Sequence, residues 1–170
     1  GPADAAVDRV VLEYAGGMET LVGPGSIATP GILAAYEVAS RRYGRVPWRT
    51  LFEPAIAIAR SGFPLSSAAH RFMTHAHDLI YGRDPRSHRA LHRADGRLKG
   101  IGEVIHVQDL AESLETIADE GADAFYRGSL AARIADHVRD GGGLLTAEDL
   151  STYEPLVHEA LSIDLAQIGR

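Results

Sequence analysis

Residues 108–153 read QDLAESLETIADEGADAFYRGSLAARIADHVRDGGGLLTAEDLSTY, and this stretch predicts two amphipathic helices in succession. Apolar residues recur at helical spacing on one face of each: Leu110, Leu114, Ile117 and Ala118 in the first, then Leu130, Ile134 and Val138 in the second. Asp109 and Ser129 are the predicted N-caps, and Gly121 and the glycines at 141–143 are the predicted ends. Since each helix has one apolar face, each must bury that face against other parts of the chain.

The start of a third helix follows directly. Thr146-Ala-Glu-Asp149 has the form of a capping box, in which the side chains of the first and last residues satisfy each other's backbone N–H groups. This motif predicts a further helical turn through Leu150 and Tyr153, which Pro155 interrupts. Asp123–Tyr126, between the first two helices, is predicted to be a short connector that carries two aromatic side chains.

Further helices are predicted upstream. Thr29-Pro30 combines a polar cap with proline at the first helical position. The helix that it opens has an apolar stripe formed by Ile32, Ala35, Tyr36, Ala39 and Tyr43. Ser66 is predicted to cap another helix that runs to Gly82. Between these two, Pro54 is predicted to separate a short or kinked turn at Trp48–Glu53 from a second segment at Ala55–Arg60.

Strand signals are weaker than helix signals. Alternation of apolar and polar residues in Val7–Tyr14 predicts a strand, and Ser26–Ala28 is predicted to be a short second strand. Two isolated strands are marginal in water, so they need partners from a larger sheet. Residues 83–106 are predicted to be a long loop with a short extended piece at Gly102–Val107.

These signals predict a mainly α chain, α+β overall, organised as a single unit over residues 1–170 with marginal strands near its ends. The helices are expected at about Pro30–Tyr43, Ser67–Tyr81, Leu110–Glu120 and Leu130–Asp140. Their stripes are expected to meet in one core that largely buries Ile32, Leu114, Ile117, Ile134 and Val138. Replacing Ile134 by alanine would then cost about 2–5 kcal/mol.

Composition excludes several classes of protein. The 170 residues carry a net charge of −6, and 45% hydrophobic with 24% charged residues is typical of a folded globular protein. The absence of cysteine excludes disulfides and thiolate metal sites. No apolar run approaches the ~20 residues of a membrane span, and the first residues lack the basic and apolar regions of a signal peptide, so no membrane partner is predicted.

Basic residues concentrate in Arg83–Lys99, which holds six basic and two acidic side chains. One interpretation is a nucleic-acid patch, but the stretch has no aromatic residue on which a base could stack. Charge runs usually mark solvated surface, so an exposed loop is favoured. No nucleic-acid partner is predicted.

Two groups of histidines have the residue type of metal ligands. His88 and His92 are four residues apart, which would place both on one face of a helix. The second group consists of His70, His75 and His77, with Asp78 beside them. Metal sites need three or four converging donors with supporting contacts, and neither group offers them in sequence. Surface or packing roles are therefore favoured, and no metal or other cofactor is predicted.

Two backbone features have both a functional and a structural interpretation. The glycines at 141–143 could form an anion-binding nest, but their position after a helix favours a C-terminal stop. Ser26 follows Gly25 in a context that lacks the spacing of a nucleophile elbow, so a structural turn is favoured there. We assign no catalytic, substrate-binding or metal-binding residue in this chain.

Several blocks of the sequence occur in a fixed order. They are TPGILAAY at 29–36, YGRVPW at 43–48, LFEPAIAIARSGFPLS at 51–66, and EGADAFYRG at 120–128 with GGGLLTAEDLSTYEP at 141–155. Together they strongly resemble the large subunit of the gamma-glutamyltransferase (gamma-glutamyltranspeptidase) family. A single block would be a weak signal, but the set occurs in the family's order over about residues 26–158.

The resemblance implies the helical portion of a four-layer αββα sandwich of the N-terminal-nucleophile hydrolase type. In that family a precursor cuts itself, and the threonine exposed at the start of the small subunit attacks the gamma-glutamyl carbonyl. Its own amine serves as the base, without metal or organic cofactor. The resemblance therefore implies a small subunit as partner and gamma-glutamyl amides of the glutathione type as substrates.

Functional residues of the family have no match in this chain. None of its threonines lies in the family's nucleophile context. They are Thr20, Thr29, Thr50, Thr74, Thr116, Thr146 and Thr152. The glycine-rich oxyanion segment is also missing. Residues 12–19 contain no counterpart of the family's carboxylate-binding arginine, and its role is not transferred to Arg9. Alone, the chain is expected to be inactive and to expose an apolar surface that promotes self-association.

Two alternative functions stay open at this point. One is an acylase of the same superfamily that cleaves a different side-chain amide. The other is a non-catalytic helical module that has kept the scaffold for binding. The complete reading frame distinguishes them, because a threonine-headed small subunit would indicate an enzyme.

Overall fold

The computed structural model describes residues 10–14, 18–82, 84–107 and 109–162. Helices dominate this part of the chain. They are α1 (Ile32–Tyr43), α2 (Trp48–Ser61), α3 (Ser67–Ala76), α4 (Pro85–Leu91), α5 (Leu110–Glu120), α6 (Asp123–Tyr126), α7 (Ser129–Asp140) and α8 (Ala147–Ser151). The predictions at 110–120 and 130–140 are confirmed, and those at 30–43 and 67–81 are confirmed with two differences: α1 begins at Ile32, and a π-helical turn at His77–Tyr81 completes the segment begun by α3.

The strands form two antiparallel pairs. β1 (Val10–Tyr14) pairs with β2 (Met18–Val22), and β3 (Phe63–Pro64) pairs with β4 (Val104–Ile105). β1 confirms the described part of the first predicted strand. The strand predicted at 26–28 is wrong, because Pro24–Ser26 forms a 3₁₀ turn. Both the backbone N–H and the hydroxyl of Ser26 donate to the Gly23 carbonyl, at 3.0 and 2.7 Å, and these local bonds close the turn.

Helix α2 continues through Pro54, so the predicted interruption is wrong. Proline leaves the Thr50 carbonyl without a helical donor. Both residues are exposed, so water can replace the missing bond. Antiparallel packing on α5 supports the continuous helix: the Trp48 indole N–H donates to the Ile117 carbonyl at 3.0 Å, and ion pairs join Arg49 to Asp119 and Arg60 to Glu115.

The predicted loop at 83–106 contains regular structure, so that prediction is wrong except for its extended piece. α4 occupies Pro85–Leu91, with Pro85 at the first helical position. The carboxylate of Asp84 caps the helix by accepting from the N–H groups of Arg86 and Ser87, both at 2.9 Å. These bonds hold the pKa of Asp84 below its usual value. β4 lies within the predicted extended piece at 102–107.

Some of the predicted helix N-caps are confirmed, and others are wrong. Ser66 accepts from the Ala69 N–H, and Thr146 and Asp149 form the predicted capping box. Asp109 instead adopts a left-handed conformation with φ of 63° and makes no side-chain cap. Gly128, rather than Ser129, is the residue that precedes α7. A left-handed residue before a helix directs its side chain away from the free N–H groups, which the sequence pattern did not reveal.

The described residues bury more than one hydrophobic cluster, so the prediction of a single core is wrong. The larger cluster, here called the tyrosine core, consists of Ala34, Ala122, Tyr126, Ala131, Val138, Leu145 and Leu150. A second cluster joins Leu65, Met73 and Ile105. Ile117 and Val138 are buried as predicted, Leu114 and Ile134 are half-buried, and Ile32 is 63% exposed. Ile32 was therefore wrongly predicted as a core residue.

Tyr126 connects the tyrosine core to the start of α1. Its hydroxyl accepts from the Ala34 N–H at 3.2 Å and donates to the Pro30 carbonyl at 2.7 Å. Ala34 lies in the first turn of α1, where N–H groups have no partner within the helix. Tyr126 therefore acts as a tertiary cap, and burial raises the pKa of its phenol. Tyr153 stacks on its ring at 5.7 Å and leaves no room for a side chain at Gly31.

Candidate functional site

Helix α1 has an apolar face that nothing covers within the described residues. All five members of its predicted stripe are exposed: Ile32, Ala35, Tyr36, Ala39 and Tyr43. The exposed fractions of Ile32, Tyr36 and Tyr43 are 63%, 59% and 78%. The opposite side of α1 is also apolar, since Ala34 is buried in the tyrosine core and Leu33 packs against it. A helix that is apolar on two sides requires a second partner.

Helix α2 shows the same two-sided pattern. Its inner side faces α5 through Trp48, Phe52, Ile56 and Ala59, which are buried or half-buried. Leu51, Ala55 and Ile58 recur at helical spacing on another side, and all three are exposed. The exposed fractions of Leu51 and Ile58 are 51% and 53%. We call the exposed stripes of α1 and α2 together the open face.

The segment after α8 adds further exposed apolar side chains. Residues 153–162 form neither helix nor strand, and Leu156, Val157 and Leu161 are all exposed. Exposed apolar side chains occurring singly are normal, but contiguous patches mark interaction surfaces. The stripes of the open face are not single scattered residues, because their members repeat along one side of each helix. The strongest candidate site in the described chain is thus an interaction surface.

A cleft of about 1010 Å³ lies beside α4 and α5. Met73, Tyr81 and Leu91 are among its apolar lining side chains, and charged side chains line it as well. Several of its charged residues have structural roles: Asp84 caps α4, and Arg60 pairs with Glu115. These contacts account for Asp84, Arg60 and Glu115 without a ligand.

The histidines group differently in the structure from the two groups that their sequence positions suggest. The rings of His88 and His92 stack 3.7 Å apart, and Nε2 of His77 lies 2.6 Å from Nε2 of His92. His77 thus joins the other group. The described residues contain no group of three or more His, Cys, Asp or Glu side chains arranged to hold a metal ion. The packing role favoured for these histidines agrees with His92, which is only 7% exposed.

The glycines at 141–143 and Ser26 both have structural roles. Gly142 has φ of +80° and ends α7, and the Gly143 N–H donates to the Val138 carbonyl at 2.8 Å. A side chain at Gly143 would meet the Pro24 carbonyl, so the glycine permits that close approach. Ser26 makes the 3₁₀ turn described above.

Arg9, to which no role was transferred, lies outside the described residues. Within these same residues, no helix combines the length and apolarity needed to cross a membrane.

Solved structures share this arrangement of helices. The gamma-glutamyltranspeptidase of Helicobacter pylori matches 87% of this chain and 50% of its own with a TM-score of 0.73, at 22% identity. A gamma-glutamyltranspeptidase from Pseudomonas nitroreducens matches 89% of this chain and 44% of its own, with a TM-score of 0.70 and 30% identity. The cephalosporin acylase of Bacillus halodurans matches 84% and 27%, with a TM-score of 0.68 and 31% identity. The fold is therefore the mainly helical portion of an N-terminal-nucleophile hydrolase sandwich, as predicted.

Sequence relatives agree with the structural ones. Glutathione hydrolase 3 of Arabidopsis thaliana is 36% identical over 85% of this chain, and the glutathione hydrolase proenzyme of Escherichia coli is 33% identical over 80%. The profile of the gamma-glutamyltranspeptidase family matches residues 1–169. The chain belongs to the gamma-glutamyltranspeptidase family. It spans only 22% and 23% of the length of these two relatives.

Proposed function

We propose that this chain is a segment of the large subunit of an enzyme that transfers or hydrolyses gamma-glutamyl amides of the glutathione type. Membership of the family supports the reaction class, and the relatives named glutathione hydrolases support the substrate class. The nucleophilic threonine belongs to a small subunit that this chain does not include.

The observation that carries the proposal is the open face. Two long helices each bury one apolar side within the described chain and leave another exposed, as a helical layer does when the sheet that it covers is absent. The chain's own contribution is therefore structural. It covers one side of the sheet and excludes water from that side. The tertiary cap by Tyr126 keeps α1 in the orientation that presents the open face.

The reaction proceeds by acyl transfer at the partner's threonine. The threonine oxygen forms an ester with the gamma-glutamyl carbonyl carbon, its proton passes to the threonine amine, and the amine leaving group takes a proton as the amide C–N bond breaks. Water or an acceptor amine then attacks the ester and restores the threonine. No residue of this chain is assigned to these steps.

Activity assays of two polypeptides test the proposal. The product of the complete reading frame should release chromophore from a gamma-glutamyl anilide, whereas the 170-residue chain alone should release none, because an activated nucleophile and oxyanion donors must be held together. Turnover that follows the pure 170-residue chain through successive columns would contradict the proposal. So would a complete reading frame that lacks a threonine-headed subunit, which would favour the non-catalytic binding module.

A pair of variants of the complete product tests the role of the open face. The double substitution Ile32→Glu with Tyr36→Glu places two charges on the open face, and it should prevent assembly into active enzyme because buried unpaired charges are costly. Thr50→Glu adds a charge at an exposed polar position of α2 and serves as the control. Normal assembly and activity of the double variant would show that the open face stays in solvent.

A side-chain amide acylase is the second candidate function. The 31% identity to the cephalosporin acylase of Bacillus halodurans favours it, because the same helical layer occurs in an enzyme with a differently named substrate. Assaying the complete product on a gamma-glutamyl anilide and on an acylated cephalosporin in parallel distinguishes the two candidates. Preference for the cephalosporin would replace the gamma-glutamyl proposal.

A further inference from the structure

A groove of about 700 Å³ lies between α5 and α7, separate from the open face. Its volume is typical of a pocket that holds a small molecule. The apolar side chains that line it include Leu110, Leu114, Ile117, Phe125, Ile134 and Val138. No member of the open face lines this groove, and the proposed function gives it no role.

The apolar lining of the groove extends from buried to exposed side chains. Ile117 and Val138 are only 7% and 2% exposed, whereas Leu110 and Ile27 are 36% and 42% exposed. Leu110, Leu114 and Ile117 follow one another along α5 over about 10 Å, at about 1.5 Å per residue. An apolar ligand that lies along this wall would remove further apolar surface from water, which favours binding.

The groove also carries positive charge that the described chain leaves uncompensated. Arg86 of α4 and Arg133 of α7 both line it, and both are exposed. Among the residues that the structure describes, neither guanidinium pairs with a carboxylate. The two acidic lining residues, Asp136 and Asp140, instead pair with Arg139 at 2.7 and 3.4 Å. The charge available to a ligand is therefore positive.

The remaining polar side chains of the lining are Ser113 and His137. The Ser113 hydroxyl donates to the Asp109 carbonyl at 2.9 Å, so its proton is already used within α5. The two arginines are thus the strongest hydrogen-bond donors that the groove offers. A guanidinium matches a carboxylate in shape, because two parallel N–H groups can donate to the two oxygens.

We propose that this groove binds an amphipathic monocarboxylate, with the apolar chain between α5 and α7 and the carboxylate at Arg86 and Arg133. Charge complementarity selects this class, since a cation would be repelled and a neutral apolar molecule would leave both guanidiniums without a partner. The wall along α5 matches an extended chain of about eight carbons, each of which adds roughly 1.3 Å. The site is independent of the gamma-glutamyl reaction, because none of its residues is assigned to a step of that reaction.

Calorimetric titration of the protein expressed from its complete reading frame tests the proposal, with octanoate as the probe. The Kd should be about 1 mM or lower, which is within reach of a ligand with about ten non-hydrogen atoms. Octanol keeps the chain without the charge, and acetate keeps the charge without the chain. Each should bind about tenfold more weakly than octanoate. No octanoate binding, or equal affinity for octanol, would overturn the proposal.

The double variant Arg86→Gln with Arg133→Gln isolates the contribution of charge. Both side chains are exposed, so the fold should be kept, and the affinity for octanoate should fall about tenfold or more. Arg89→Gln is the matched control. Arg89 lies on the same helix as Arg86 and is also exposed, but it lines the 1010 Å³ cleft and not this groove. Equal losses in the control and the double variant would indicate general attraction to basic surface and overturn the proposal.

Methyl NMR of the isoleucine-labelled complete protein locates the bound chain. Octanoate should shift the signals of Ile117 and Ile134, which line the groove. The signal of Ile105 should stay in place, because this residue is buried in the second hydrophobic cluster. Shifts at Ile32 and Ile58 without shifts at Ile117 and Ile134 would place the chain on the open face, and the groove would be ruled out as its site.

Discussion

The tyrosine core and the open face are built from the same kinds of side chain, yet they differ in what surrounds them. Leu150 is fully buried in the core, whereas Leu51 on the open face is 51% exposed. Tyr126 makes two hydrogen bonds in the core, whereas Tyr36 is 59% exposed. Helix α1 belongs to both regions. The comparison teaches that an apolar stripe identifies a surface that needs a partner, but not whether the partner lies within the same stretch of chain.

The largest expected effect is the loss of a core leucine. Leu150→Ala should lower the free energy of unfolding by about 2–5 kcal/mol, because it removes a buried side chain and leaves a cavity. The matched change Leu51→Ala on the open face should cost within about 0.5 kcal/mol in the 170-residue chain. Denaturant titration measures both. Equal losses would mean that the open face is covered in solution, for instance by self-association.

The tyrosine hydroxyls give the next contrast. Tyr126→Phe keeps the ring but removes the cap on the Ala34 N–H and the donor to the Pro30 carbonyl, so unfolding should become easier by about 1–3 kcal/mol. Tyr36→Phe should change the unfolding free energy by less than 0.5 kcal/mol, because its hydroxyl lies on the exposed side of α1. Thermal unfolding of the two variants gives the comparison. A loss confined to Tyr36→Phe would contradict the tertiary cap.

Acid should loosen the segment between Arg93 and Glu103, which leads into β4. The Arg93 guanidinium and the Gly100 N–H lower the pKa of Glu103 from its ordinary 4.5 to about 2. The folded carboxylate therefore contributes stability above pH 4.5, and this contribution is lost as the pH falls toward 2. Glu103→Gln should remove this acid dependence and lower hydrogen-exchange protection of the Gly102 amide at pH 6. An unchanged acid dependence in Glu103→Gln would contradict the assignment.

The smallest effect on stability should come from the open face itself. Replacing Ile32 and Tyr36 together by serine should change the unfolding free energy of the 170-residue chain by less than about 1 kcal/mol. It should nevertheless reduce binding of a hydrophobic dye and shift the chain from assemblies toward monomer, because the patch that promotes association is smaller. Light scattering after size exclusion measures the shift. An unmodified chain that is already monomeric and binds no dye would contradict an uncovered apolar layer.

Much of the helical structure could be predicted from local signals. Caps and stops such as the Thr146–Asp149 box and Gly121 act through neighbouring backbone groups, so they are visible in sequence. α4 was missed although Asp84-Pro85 is a good start signal, because the charged stretch that follows has little apolar periodicity. The failed cap at Asp109 and the continuous α2 depend on backbone conformation and packing on α5, which local patterns do not contain.

The sequence predicted the apolar stripe of the candidate site but not whether that stripe is exposed. The stripe on α1 was found in the sequence, but its burial was wrongly predicted for Ile32, because helical spacing defines a face and not its partner. The grouping of His77 with His92 was also missed. The two residues are 15 positions apart, and only the packing of the π-helical turn on α4 brings their rings together.

The sequence by itself determined the family, the mainly helical class and the positions of most helices, since these depend on ordered motifs, periodicity and caps within a few residues of one another. The tertiary structure decided which apolar faces are buried, that Tyr126 caps a helix 92 residues away, and that the rings of His77 and His92 meet. The physical reason is the separation along the chain over which each interaction acts. Capping and periodicity act between neighbours in the chain, whereas burial and long-range hydrogen bonds depend on which distant segments occupy the same space.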